Sequence, residues 1–310
     1  MKIFLTGASG LVGSAFARAA SRRGHHVVGN VGEFVGPLPG VATQLTIDLT
    51  STEPVSRSVL ETFPDVIVNC AAVSEPGVCE SDPIRSEALN VALPARLAEL
   101  SHHLGARLLH VSSEQVFDGV QTVPYTPDDT VSPINLYGQQ KIASERAVSA
   151  ATPKLAAIVR VPLLLGDSPR GRRSVHERLF LDWSAGRTAR LYADELRQPC
   201  TAENVAEVLV ELAERPDLNG IFHWAGTELV SRFDLGMRIR AHFKLSNQAA
   251  PIAATVRADT PDISPRRQPC LALNIAALSG RLKTQPQSLD EQLEGLRVPM
   301  ACREWFRQQT

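Results

Sequence analysis

The sequence predicts an α/β fold: a doubly wound parallel sheet followed by a smaller C-terminal α/β region. Three observations predict it. Short β-branched runs alternate with helical patterns through the first half, a three-glycine turn joins the first run to the first helix, and the alternation loses regularity after Gly166.

The strand candidates are residues 3–6, 26–29, 44–47, 65–70 and 108–112, each short and bounded by polar residues or glycine. Between the first two, Leu11, Val12, Ala15, Phe16, Ala19 and Ala20 recur at helical spacing and form one apolar face. Ala88, Val91, Ala92, Ala95 and Ala98 repeat that pattern before the run at 108–112, and side chains so small place their helix close against the sheet. A further strand is expected over 158–165, a loop over 167–174, and helices over 204–214 and 231–243. The proline-rich stretch 251–269 is not expected to be regular throughout. The boundary between the two parts falls near Gly166, giving 1–166 and 167–310, with the second part packing on the first and exchanging elements with it.

Hydrophobic residues make up 44% of the 310, charged residues 21%, and the formal net charge is −1. Such a chain can bury a full core, but it lacks the basic surplus that phosphate neutralisation requires, which excludes a nucleic-acid partner. The five cysteines, Cys70, Cys79, Cys200, Cys270 and Cys302, are odd in number and show no C-x-x-C spacing. They fit a reducing cytoplasm and no metal site. Met1-Lys2 leads straight into the first strand without an apolar stretch of signal or membrane-span length, so a soluble, cytoplasmic fold beginning at the first residue is expected, with no membrane partner. His25-His26 and His102-His103 are neighbours that point to different faces, and are expected to be solvated rather than metal ligands.

The strongest local signal is Thr6-Gly7-Ala8-Ser9-Gly10-Leu11-Val12-Gly13, which follows the first strand and opens the first helix. The first glycine permits a tight turn, the second admits a diphosphate to the backbone N–H groups, and the third allows close helix packing. The helix N-terminus adds unpaired donors and partial positive charge. This is the context of a Rossmann-type dinucleotide-binding domain over 1–166, with 167–310 left as the substrate-binding region. At the end of the second strand, His26-Val27-Val28-Gly29-Asn30-Val31-Gly32 offers neither the acid that binds an NAD ribose nor an arginine for a 2′-phosphate. Absence of the acid removes a repulsion, so the balance leans to NADP(H) over NAD(H).

Tyr137 and Lys141 stand at i and i+4, on one face of a helix. A free phenol titrates near ~10, and a neighbouring ammonium that stabilises the phenolate makes it a usable acid or base. Ser113 follows the run at 108–112, at the carboxyl edge where parallel sheets hold ligands, and its hydroxyl suits a carbonyl oxygen.

The glycine turn, Asp48-Leu49-Thr50, Asn69-Cys70-Ala71-Ala72, the stretch Ser112-Ser113-Glu114-Gln115-Val116-Phe117-Asp118-Gly119, and Asn135-Leu136-Tyr137-Gly138-Gln139-Gln140-Lys141 together resemble extended short-chain dehydrogenases/reductases. Within these the chain is most similar to the dTDP-4-dehydrorhamnose reductase group and its relative, the regulatory beta subunit of methionine adenosyltransferase. Phe222-His223-Trp224-Ala225-Gly226 and Arg266-Arg267-Gln268-Pro269 extend the likeness into the second half, the first of them nearer to the regulatory subunit.

The resemblance implies that Gly7, Ser9, Gly10, Leu11 and Val12 surround the diphosphate, Asp48 and Leu49 lie at the adenine, and Ala71 and Ala72 line the path to the nicotinamide. It further implies a catalytic Ser113, Tyr137 and Lys141, with Lys141 lowering the Tyr137 pKa. Two departures bear on the substrate. Glu114-Gln115 stands where the reductases usually carry Asp-Tyr, and Pro162-Leu163 where they often carry Ser-Trp. The function implied is NAD(P)-dependent reduction of a carbonyl on a nucleotide-activated or similar sugar. The alternative is a dinucleotide-binding regulatory subunit without turnover, and a homodimer or a partner enzyme both remain open. Arg170, Arg172 and Arg173 lie in a glycine-bearing loop; contact with a nucleotide diphosphate is open to them, and a solvated loop is the expectation.

Overall fold

A computed structural model of the chain describes residues 1–263 and 266–309. Its first half runs β1 (Lys2–Thr6), α1 (Leu11–Arg22), β2 (His26–Asn30), β3 (Thr43–Leu45), α2 (Thr52–Thr62), β4 (Val66–Asn69), α3 (Pro76–Ser81), α4 (Pro83–Glu87), α5 (Leu93–Leu104), β5 (Arg107–Ser113), α6 (Leu136–Ala151) and β6 (Ala156–Val161). The second continues with β7 (Leu164–Leu165), α7 (Val175–Ser184), β8 (Ala189–Tyr192), β9 (Leu196–Arg197), β10 (Cys200–Thr201), α8 (Ala202–Glu214), β11 (Gly220–His223), β12 (Val230–Ser231), α9 (Arg232–His242), β13 (Ile252–Thr255) and β14 (Cys270–Leu271).

Seven strands form the central sheet in the order β11-β6-β5-β4-β1-β2-β3. All its pairings are parallel, and Thr6 stands beside Asn69 at the carboxyl edge. The winding reverses between β1 and β4, which opens a crevice at that edge. Alternation along the strands explains the two layers: Ile3, Leu5, Val66 and Val68 face α1 and α8, while Phe4 and Ile67 face α2 and α5. Strands covered on both faces read as continuous apolar runs, which is why they were visible in sequence.

Two local readings change. The helix expected from Ala88 contains a π-helical turn over Ala88–Ala92, which re-aims Asn90 inward. The strand expected over 158–165 breaks at Pro162, which lacks a ladder donor, and β7 leaves the main sheet to pair with β10. β11 and α8, from beyond Gly166, complete the first sheet and its α1 layer, so Phe222 and His223 belong to the central sheet. Within the proline-rich stretch β13 pairs with β8, and a single turn spans Arg257–Asp259. Ser264 and Pro265 lie outside the described residues.

A separate apolar cluster around Leu165, Phe180, Trp183, Leu191 and Leu235 holds the second region together. Among the described residues no helix is long and apolar enough to cross a membrane.

Candidate active site

The glycine turn sits at the crevice. Gly7 has φ +68°, and a Cβ there would stand 2.7 Å from the Ala71 nitrogen; a Cβ on Gly13 would stand 2.1 Å from the Gly7 carbonyl. Neither space admits a side chain. Helix α1 starts from Gly10 with no side-chain cap and no acid in its first turn, so no side chain among the described residues occupies the first amides, at Leu11 and Val12. The donor set therefore fits a diphosphate. Ser9 turns its hydroxyl to the Val31 carbonyl at 2.8 Å, tying the turn to the loop after β2.

Farther along the edge, the Asp48 carboxylate accepts from the Thr50 backbone at 2.9 Å and hydroxyl at 2.7 Å, bonds that hold its pKa below the usual range. Leu49 lines a small cavity with Val55, Ala88 and Leu93. Ala71 and Ala72 follow β4, the Ala71 N–H approaching Asn69 Oδ1 at 3.3 Å.

Ser113 closes β5, and Tyr137 lies in the first turn of α6, whose N-cap Asn135 accepts from the Gly138 N–H at 2.8 Å. The Ser113 hydroxyl accepts from the Gln115 N–H at 3.2 Å and acts on the Tyr137 phenol, opposing the rise in pKa that burial causes. Lys141 Nζ lies 5.8 Å from the Tyr137 ring centroid and donates to the Val111 carbonyl at 3.0 Å. All three side chains are buried.

Burial sets their chemistry. It raises the Tyr137 pKa above its ordinary value, and it lowers that of Lys141 to about 8 against the pull of Glu145. Desolvation of the phenol outweighs any lowering by Lys141, so the Tyr137 pKa stands above its ordinary value and the phenol is held protonated.

Behind these residues runs a polar chain that the sequence reading missed. Thr6 Oγ1 donates to Asn69 Oδ1 at 2.6 Å, Asn69 Nδ2 bonds His110 Nδ1 at 3.1 Å, and His110 Nε2 bonds Ser144 Oγ at 3.0 Å. Ser144 in turn donates to the Lys141 carbonyl, so His110 carries its proton on Nε2. Burial depresses the His110 pKa, which keeps the ring neutral. Next to it, Glu145 forms a buried pair with Arg160, at 2.9 and 2.7 Å, and accepts from Ser112. The available signal was polar residues, Asn69, His110 and Ser112, inside strands otherwise apolar, because buried polar groups require partners.

The departures also find places. Gln115 Oε1 accepts from the capping Asn135 at 3.0 Å, so it supports α6. Glu114 is buried, with Oε1 3.4 Å from Arg197 Nε, and desolvation raises its pKa to about 7. Arg197 leads on to Glu195, which is fully buried and bonded by both Arg267 Nε and Arg267 Nη2. Asp167, His176 and Glu177 bring ligand-type atoms within 4.8 Å of one another, but Glu177 accepts from Ser168 and Arg173 N–H groups and works as a cap of α7.

A parallel sheet with a diphosphate turn, and a buried Ser–Tyr–Lys set at its carboxyl edge, define a short-chain dehydrogenase/reductase of the extended type. Residues 1–296 match the RmlD substrate binding domain model, and the chain belongs to that family. It is 33% identical over 273 residues to methionine adenosyltransferase 2 subunit beta of Rattus norvegicus, covering 86% of this chain and 78% of that one. Identity is likewise 33%, over 304 residues, to the probable low-salt glycan biosynthesis reductase Agl14 of Haloferax volcanii, covering 96% and 97%. The dTDP-4-dehydrorhamnose reductase of Bacillus anthracis str. Ames, solved in complex with NADP, shares the fold with TM-score 0.79 and 20% identity over 94% and 96% of the chains.

Proposed function

We propose that this chain is an NAD(P)-dependent oxidoreductase that reduces a carbonyl on a nucleotide-activated sugar, with Tyr137 as the proton donor. The observation that carries this reading is the joint burial of Ser113, Tyr137 and Lys141, with Lys141 Nζ 5.8 Å from the Tyr137 ring centroid, on the same edge as the glycine turn. A bound nicotinamide dinucleotide supplies the hydride. Gly7, Ser9, Gly10, Leu11 and Val12 would hold its diphosphate, Asp48 and the small cavity at Leu49 its adenine, and Ala71 and Ala72 its nicotinamide end.

Tyr137, kept protonated by burial, gives its proton to the carbonyl oxygen while the Ser113 hydroxyl orients that oxygen. Lys141 is charged below about pH 8 and stabilises the phenolate left behind. Residues 167–310 would supply the substrate wall, and from that region Arg197, paired with Glu195 as Arg267 also is, reaches Glu114, the neighbour of Ser113 in the chain. The five cysteines are all free, which supports a reducing, cytoplasmic setting.

The test is NADPH oxidation by the purified chain with dTDP-4-dehydrorhamnose and other nucleotide keto-sugars. Replacing Tyr137 by Phe is expected to lower turnover by about a hundred- to ten-thousand-fold and to leave dinucleotide affinity intact. Unchanged turnover removes Tyr137 from the chemistry.

A second reading, a dinucleotide-binding regulatory subunit, draws on the relatives named methionine adenosyltransferase 2 subunit beta. Its sequence motif gives it no surface: Phe222, His223, Trp224 and Ala225 are buried, and Trp224 Nε1 is spent on Asn204 at 2.7 Å. Stoichiometric recovery of a methionine adenosyltransferase from extract, with no reductase activity, would favour it.

A further inference from the structure

The reader of the adenine ribose in a Rossmann domain sits at the end of the second strand, and here that place is empty of candidates. Asn30 is buried and donates to the Ile47 carbonyl at 3.0 Å; Val31 and Gly32 follow. A cation nevertheless reaches this loop from far along the chain. Arg170, between β7 and α7, donates from Nη2 to the Glu33 carbonyl at 2.9 Å, and its guanidinium lies 5.9 Å from the Phe34 ring centroid.

Its approach is built in. The Gly171 N–H donates to the Ser168 carbonyl at 3.0 Å, with Gly171 at φ +64°, and Ser168 Oγ accepts from the Arg172 N–H at 3.2 Å. Glu177 fixes both ends of the turn, accepting from the Ser168 and Arg173 N–H groups at 2.7 Å each. Arg170 therefore projects from the tip of a pinned turn, and one contact to a carbonyl leaves most of its five N–H donors for an anion. Arg172 and Arg173 follow with no side-chain partner among the described residues, adding positive charge to the same strap. The Glu33 carboxylate, also exposed, is a charge here that opposes an anion; the guanidinium bonds its backbone, not its side chain.

We infer that Arg170 is the specificity residue for the 2′-phosphate of NADP(H), supplied by the second region in place of the arginine missing after β2. This rests on the reading of the edge as a dinucleotide groove. The strap then does two things at once: it docks the second region on the first, and it reads which dinucleotide is bound.

Calorimetric titration of the full chain with NADP+ and with NAD+ tests it without any turnover. Wild type is expected to prefer NADP+. Arg170→Ala is expected to weaken NADP+ by about ten- to a hundred-fold, with NAD+ changed by less than about two-fold. Glu33→Gln is expected to leave NAD+ affinity unchanged. Equal weakening of both dinucleotides by Arg170→Ala makes Arg170 a loop anchor and overturns the inference, as does unchanged NADP+ affinity, a wild-type preference for NAD+, or loss of NAD+ in Glu33→Gln. Wild type that binds neither dinucleotide overturns the groove itself, and the proposed function with it.

Discussion

His110 Nδ1 accepts a hydrogen bond from Asn69 Nδ2 at 3.1 Å, and that pair joins the strand beside the diphosphate turn to the helix of Tyr137 and Lys141. The link matters because hydride transfer needs the dinucleotide and the proton donor held in one geometry. Replacing His110 with Phe removes both ring nitrogens from a fully buried site, so the Asn69 amide N–H loses its acceptor and the Ser144 oxygen loses its donor. A loss of about 2–4 kcal/mol in urea unfolding is expected, with a fall in turnover at temperatures where the variant stays folded. A variant as stable and as active as wild type would show that the bridge carries nothing.

Lys141 sets a pH limit. Its pKa is lowered to about 8, so the ammonium is present below that pH and lost as pH rises through it. Since the charged form is the one that stabilises the phenolate, kcat/KM for reduction is expected to hold steady below about 8 and to decline above it. Lys141→Arg is expected to move that limb upward, because guanidinium stays charged. A profile flat to pH 10 would contradict the role.

The Glu145–Arg160 pair is the buried charge on which α6 rests against β6. Arg160→Met leaves the carboxylate uncompensated and is expected to cost about 3–5 kcal/mol, while the double replacement of both residues by Met recovers most of it. Equilibrium unfolding of the three proteins decides; a single variant within about 1 kcal/mol of wild type refutes the assignment.

Gly138, next to Tyr137, lets α6 close on the turn after β5: a Cβ would stand 2.2 Å from the Gln115 carbonyl. Gly138→Ala is expected to tilt Tyr137 away from Ser113, cutting turnover by about a hundred-fold with dinucleotide affinity kept, since a displacement near 1 Å at a reacting group has about that effect. Loss of affinity in the same proportion as turnover would point to general disruption instead.

Local chemistry made much of this legible in the residues alone. The strands covered on both faces, the glycine turn at Gly7 and the Tyr137/Lys141 spacing each depend on near neighbours in the chain, so their signal survives in one dimension. Pro162 and the π-helical turn at Ala88–Ala92 were misread because periodicity continues through them while hydrogen bonding does not.

What the sequence by itself determined is the doubly wound sheet, its diphosphate turn, and which side chains are fit for proton transfer, because backbone freedom, side-chain period and functional group are properties of short segments. Only the tertiary structure decided that Asn69, His110 and Ser144 form one chain of bonds, that β11 completes the first sheet, that burial keeps the Tyr137 phenol protonated, and that Arg170 arrives at Glu33 across more than a hundred residues of chain. Contacts between distant segments and the desolvation of a group depend on packing, and packing is a property of the folded whole.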